Sequence, residues 1–137
     1  MADALHRNTQ KQNRGKGVGY TTELERFKEL NKLTDWLIKY APAYDWRVER
    51  FDRVVTPESP LTDFRTGDTV NDIGQHMVIV YSNDKHIFDA ICHYGSYGYH
   101  IGRLEIMGSI VFEDDHNNVV GYLTADDVIE RIIQVYG

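Results

Sequence analysis

Six residues in the second half of the sequence stand out as candidates to hold a metal or act as a nucleophile. Asp89, Cys92, His93 and His100 fall within twelve residues, and Glu105 and His116 follow. Zinc takes thiolate, imidazole and carboxylate ligands in a tetrahedron. A zinc centre is therefore one chemistry open to this segment, with His93, His100 and His116 as the favoured ligands. The spacing follows no zinc-finger or metalloprotease pattern. Cys92 and His93 are adjacent, and adjacent side chains on a continuing strand point to opposite faces, so the two do not ligate together easily. The second chemistry is a thiol nucleophile: Cys92 assisted by a histidine and an acid. Such a cysteine usually sits at a helix N-terminus or beside a base on another element. Cys92 instead lies in an apolar run, where it reads as a small core residue. G-x-S-x-G, H-E-x-x-H and P-loop patterns are absent from the sequence.

The same stretch, DAICHYGSYGYHIGRLEIMG, interleaves Tyr94, Tyr97 and Tyr99 with Gly95 and Gly98, and Arg103 follows. Rings beside an arginine can stack bases. Tyrosine on adaptable glycine backbone also suits contacts with a protein partner, and the plain alternative is packing over a sheet with glycines at turns. Two acidic clusters are the other candidate contacts: Glu113, Asp114 and Asp115, then Asp126 and Asp127. They can imitate the phosphates of a nucleic acid toward a basic partner. They can equally solubilise a turn and complement a helix N-terminus, which is the better-supported reading.

The elements that must position these residues follow from periodicity. TTELERFKELNKLTDWLIKYAP has a helical stripe of Leu24, Phe27, Leu30, Leu33, Leu37 and Ile38. Thr22 and Glu25 have capping-box spacing, and Pro42 is expected to end the helix. In YDWRVERFDRVV, Trp46 and Val48 alternate with charges until the pattern slips near Arg50 and Phe51, which suggests a bulge or a strand end. Residues 56–75 form a long connection, either a second contact region or only a link. HMVIVYSNDKHIFDAICH reads as a hairpin turning at Ser82–Lys85. RLEIMGSIVF and VVGYL read as two further strands around the turn EDDHNN. TADDVIERIIQVY reads as a closing helix with Thr124 as N-cap and a buried stripe of Val128, Ile129, Ile132, Ile133 and Tyr136. The order predicts an α+β fold, an antiparallel sheet of about five strands with an N-terminal and a C-terminal helix packed on it.

Residues 1–20 carry four basic side chains and one acidic, and read as a flexible basic tail before a single domain at 21–137. The remainder has 11 basic and 20 acidic residues, a formal charge of −9. A body of that sign repels nucleic acid and attracts basic surfaces, so direct nucleic-acid binding through it is not expected. One cysteine makes no internal disulfide, and neither a signal peptide nor a membrane span is evident, so the expected compartment is the cytoplasm.

From about Val78 to Arg131, the pattern IFDAICHYGSYGYHIGRLEIMG followed by VVGYLTADDVIERI resembles small proteins encoded by phages, prophages and plasmids of Gram-positive bacteria. Some acidic, single-domain members of that gene pool are anti-CRISPR proteins that block Cas9. The resemblance implies a non-enzymatic accessory protein acting in the bacterial host cell by binding a host protein machine, with Cas9 the leading candidate. Cas9 is a basic, nucleic-acid-guided effector, toward which an acidic body is steered. The resemblance assigns no functional residue. Partner contacts are expected from Glu113, Asp114, Asp115, Asp126, Asp127, Tyr94, Tyr97, Tyr99 and Arg103. The alternatives are a metal-dependent or thiol enzyme using Asp89–His100, and a DNA-binding regulator using the basic tail.

Overall fold

In the computed structural model, residues 23–137 are described. The Thr22–Glu25 capping box, Leu24 in the helical stripe and the basic tail lie outside the described residues or side chains. A short helical turn, Glu23–Arg26, leads through Phe27 into helix α1, Lys28–Tyr44. The strands are β1 (Arg47–Arg53), β2 (Leu61–Thr62), β3 (Thr69–Val70), β4 (Gln75–Ser82), β5 (Lys85–Ile91), β6 (Leu104–Gly108) and β7 (Val119–Leu123). Helix α2, Ala125–Tyr136, closes the chain.

Five strands form one antiparallel sheet in the order β1-β4-β5-β6-β7, and β2 and β3 make a separate two-stranded pair inside the long connection. The fold is α+β, with both helices packed on the sheet. The alternation of β4 decides which side they cover. Val78 and Val80 face inward with Phe88, Ala90, Leu104 and Ile106, and meet Leu30, Leu33 and Leu37 of α1 and Val128 and Ile132 of α2. The hairpin turn is as expected: Asn83 and Asp84 both take positive φ, 52° and 62°, the geometry that a tight two-residue turn requires. Thr124 caps α2, its side chain accepting from the Asp127 amide while Asp127 Oδ2 accepts from the Thr124 amide.

Four expectations need correction. Helix α1 does not stop before Pro42 but continues to Tyr44. The proline enters only in the last turn, with Leu33, Leu37 and Ala41 anchored in the core. The stop comes from Asp45 in the left-handed region, its N–H bonding back into the helix. Ile38 and Ile133 are not in the core, being 59% and 50% exposed; each stripe is narrow, and Leu37 and Ile132 take the inward positions beside them. Strand β1 has no slip, pairing with β4 in unbroken register. Its alternation is only inverted in type: Arg50 points to the helix side and bonds Thr34 Oγ1 at 3.0 Å, while Phe51 points away. Finally, RLEIMGSIVF is not one long strand. β6 ends at Gly108, and Ser109 turns off it with its N–H bonded to Ile87 O.

Candidate aromatic binding cleft

Residues 92–103 join β5 to β6, and the glycines shape how they do so. Gly98 has φ +104°, and a Cβ there would lie 3.1 Å from the Tyr122 Cα. A Cβ on Gly121 would lie 2.2 Å from the Tyr97 Cβ. Both glycines are thus needed for the connection to lie against β7. The contact is sealed by Tyr122 N–H donating to Tyr97 O at 3.2 Å, and by Tyr97 N–H donating to Glu105 Oε1 at 2.9 Å. From behind, Arg26 donates to Tyr99 O at 2.7 Å and places its guanidinium 4.2 Å from the centre of the Tyr99 ring.

The second wall comes from the β2–β3 hairpin. Asp63 accepts from the Arg65 amide through its side chain and from Gly67 through its carbonyl, which makes a tight turn. That turn projects Phe64, 89% exposed, and Arg65. Arg65 reaches across to Tyr122 Oη at 3.3 Å and to His100 Nδ1 at 3.4 Å. Between the two walls is a cleft of about 230 Å³, lined by Phe64, Arg65, Tyr94, Tyr97, His100 and Tyr122 among others. Tyr94 stands edge-on to Tyr99, with ring centres 5.8 Å apart. Tyr97 and Tyr122 form a ridge, and beyond it a more open groove of about 580 Å³ runs toward Asp115.

Tyr122 carries a second signal. Its φ is +62°, which bulky side chains rarely adopt. Such strain persists only where surrounding contacts impose it, and it gathers at functional positions.

The electrostatics suit recognition. Burial pushes the His100 imidazole below its ordinary value, and the Arg65 charge acts in the same direction. Both effects favour the neutral ring, whose Nδ1 accepts from Arg65 in the tautomer protonated at Nε2.

Of the sequence candidates, Tyr94, Tyr97, Tyr99 and His100 meet here, and Tyr97 shares the open groove with Asp115. Arg103 turns to its own segment, donating to Ile101 O at 3.5 Å. The histidines proposed as ligands have separate surroundings. His93 Nδ1 faces the His76 amide at 3.5 Å, burial holding its pKa down, and His116 caps the one-turn helix Glu113–Asp115 in the left-handed region. Among the described residues no three His, Cys, Asp or Glu side chains are grouped as a metal would require. Cys92 is fully buried, its Sγ 3.5 Å from Arg26 O. Burial outweighs the Arg26 and Arg50 charges and pushes its thiol up to about 11, the reverse of an activated nucleophile. Asp89 is on the sheet face away from the helices, 2.9 Å from His86 Nε2; burial raises its carboxyl above the ordinary range.

Most of the acids serve the fold. Asp115 makes a two-pronged bond with Arg131, at 2.9 and 3.1 Å, and accepts from the Phe112 amide at 2.6 Å. These bonds hold its carboxyl below the usual range. Asp127 is the capping acid, and Asp126 lies 3.0 Å from Lys32 of α1. Glu113 and Asp114 stand exposed on the turn.

Phe64, Arg65 and Tyr122 were not among the sequence candidates. The available signal was a single Phe-Arg pair in an otherwise polar connection. No family model matches this chain, and no curated protein or solved structure is significantly similar to it. Among the described residues no helix is long and apolar enough to cross a membrane.

Proposed function

We propose that this protein is a non-enzymatic binding module that docks on a protein partner through the cleft between the β2–β3 hairpin and the Tyr-Gly connection. One observation carries the reading: rings from three separate segments, Phe64, Tyr94, Tyr97 and Tyr122, are 40–89% exposed and converge on one cleft. Exposed aromatic clusters are costly unless covered by a partner, and Tyr and Arg dominate interface hot spots. A cleft of about 230 Å³ is smaller than a typical drug-sized site. It suits one anchoring side chain of a larger partner.

The partner we propose is a host protein machine of a bacterial cell, and Cas9 is the first to test. The support is the −9 charge of residues 21–137, together with the reading of the sequence pattern at residues 78–131 as resembling phage and plasmid proteins. The acids would steer approach and the cleft would supply the specific contact. Inhibition would follow from occluding a nucleic-acid-binding surface. Size-exclusion chromatography with guide-loaded Cas9, with DNA cleavage assayed on the same fractions, tests this. Co-elution with loss of cleavage is the expected result; separate peaks with full cleavage would remove Cas9 as the partner.

A further inference from the structure

His76 is the one histidine among the described residues that is fully enclosed, 4% exposed at the start of β4. Both ring nitrogens face carboxylates. Nδ1 lies 2.8 Å from Asp52 Oδ1 on β1, and Nε2 lies 2.6 Å from Asp72 Oδ2 at the end of the long connection. The Phe27 ring lies over the imidazole, centres 4.3 Å apart. A neutral imidazole has a single N–H and can donate to only one of the two acids; an imidazolium donates to both.

Asp72 does more than receive this proton. Its other oxygen accepts from the Val55 amide at 2.9 Å and the Gly74 amide at 2.8 Å, which pins both ends of the connection to one carboxylate. Phe64 and Arg65 project from that connection. The His76 backbone reaches the opposite wall as well. Its carbonyl accepts from the Cys92 amide at 3.0 Å, and its N–H faces His93 Nδ1 at 3.5 Å, where the Tyr-Gly segment begins.

We propose that His76, as an imidazolium shared between Asp52 and Asp72, is the positioning residue of the cleft, and that losing its proton frees the hairpin that carries Phe64 and Arg65. It touches no partner itself and acts through Asp72. The other charged groups near it are Arg50, which pairs with Asp52 on β1, and His93, with Glu105 acting on it in turn; Arg26, in the turn beside Phe27, directs its guanidinium to Tyr99. None of these replaces the bond from Nε2 to Asp72.

The importance of the cleft rests on the docking function proposed above, but the test needs no partner, so the two ideas fail separately. Nuclear magnetic resonance on the full chain, from mildly acidic to alkaline pH, would follow the His76 ring nitrogens and the exchange protection of the Val55 and Gly74 amides. Two ring protons are expected wherever those amides are protected. Loss of one should coincide with a fall in protection of roughly tenfold or more, the scale of a charged hydrogen bond, and with shifts in the Phe64 and Arg65 signals. His76→Phe should show the low protection at every pH, with no step. Asp52→Asn, at the rim, is the variant to use if that one does not fold; it should displace the pH of the step. Protection that stays constant while the ring titrates, a singly protonated ring with fully protected amides, or a step unmoved in Asp52→Asn would overturn the proposal.

Discussion

Around the Tyr-Gly connection the fold turns aromatic rings outward and holds them with backbone. At Asp115 and at the start of α2 it turns carboxylates onto its own donors. Tyr97 is fixed through its amide and carbonyl, which leaves a ring 56% exposed. Asp115 is fixed through the carboxylate itself, both oxygens occupied by Arg131. The two regions thus have opposite logic. In one, main-chain bonds free the side chain for a partner; in the other, the side chain is consumed in holding the fold. Function is therefore expected to follow the rings, and stability the acids.

The sharpest way to break that contrast is to remove the ring. Tyr97→Ala, with Phe64→Ala made separately, should lower partner affinity by roughly thirtyfold or more if these are hot-spot residues. Thermal stability should be almost unchanged, since both side chains are mainly solvent-exposed. Affinity measured beside a melting curve checks both halves.

The reverse case is Arg131→Met. It leaves Asp115 without its partner and vacates the bond to Ile110 O. A stability loss of about 2 kcal/mol is expected by denaturant unfolding, with partner affinity close to wild type. The same variant should flatten the acid limb of the stability curve. The carboxyls of Asp115 and Asp72 are both held below the usual range: for Asp115 by the bonds to Arg131 and Phe112, and for Asp72 by the Val55 and Gly74 amides and His76, which outweigh its burial. Groups of this kind stabilise the fold above the ordinary carboxylate pKa of about 3.9, and the benefit is lost as pH falls through the lower folded values. Removing Arg131 deletes the larger part of the Asp115 share of that loss and leaves the part due to the Phe112 amide and the Asp72 share.

Tyr122→Gly sharpens the comparison at a single position. Glycine accepts the positive φ without strain, so stability is expected to rise by about 1 kcal/mol, while the ridge beside the cleft disappears and affinity falls. A variant that gains stability without losing affinity would mean that the strain serves no docking role.

How much of this was legible in the sequence depends on the kind of interaction. The core stripes of α1 and α2, apart from the exposed Ile38 and Ile133, the hairpin at Asn83-Asp84 and the Thr124 cap are local patterns found where their spacing places them. Pro42 misled because a proline disfavours the helical region before it, while three anchored core residues outweighed that preference in the last turn. The Arg50–Phe51 inversion looked like a slip because an arginine reaching Thr34 and a phenylalanine facing outward break the rule that apolar residues point inward. Half of the cleft, Tyr94, Tyr97, Tyr99 and His100, lies in one continuous segment and stood out by composition. The other half did not, because Phe64, Arg65 and Tyr122 join it only through pairing of elements 35 and 57 residues apart in sequence. The His76 bridge, spanning 24 residues to Asp52, was invisible for the same reason.

The smallest effect belongs to the free acids. Glu113→Lys with Asp114→Lys should slow association by roughly two- to fivefold at low ionic strength and have little effect at high salt, as expected for steering charges rather than anchors. Stopped-flow association at two salt concentrations checks this.

The central claim is that the aromatic cleft carries docking. Its most direct test is one titration of guide-loaded Cas9 cleavage with three proteins: wild type, Tyr97→Ala, and the Glu113→Lys/Asp114→Lys double variant. The account predicts stoichiometric inhibition by wild type, near-complete loss in Tyr97→Ala, and only a modest shift in the charge variant. Full inhibition by Tyr97→Ala, with the charge variant inactive, would contradict it and return function to the acids.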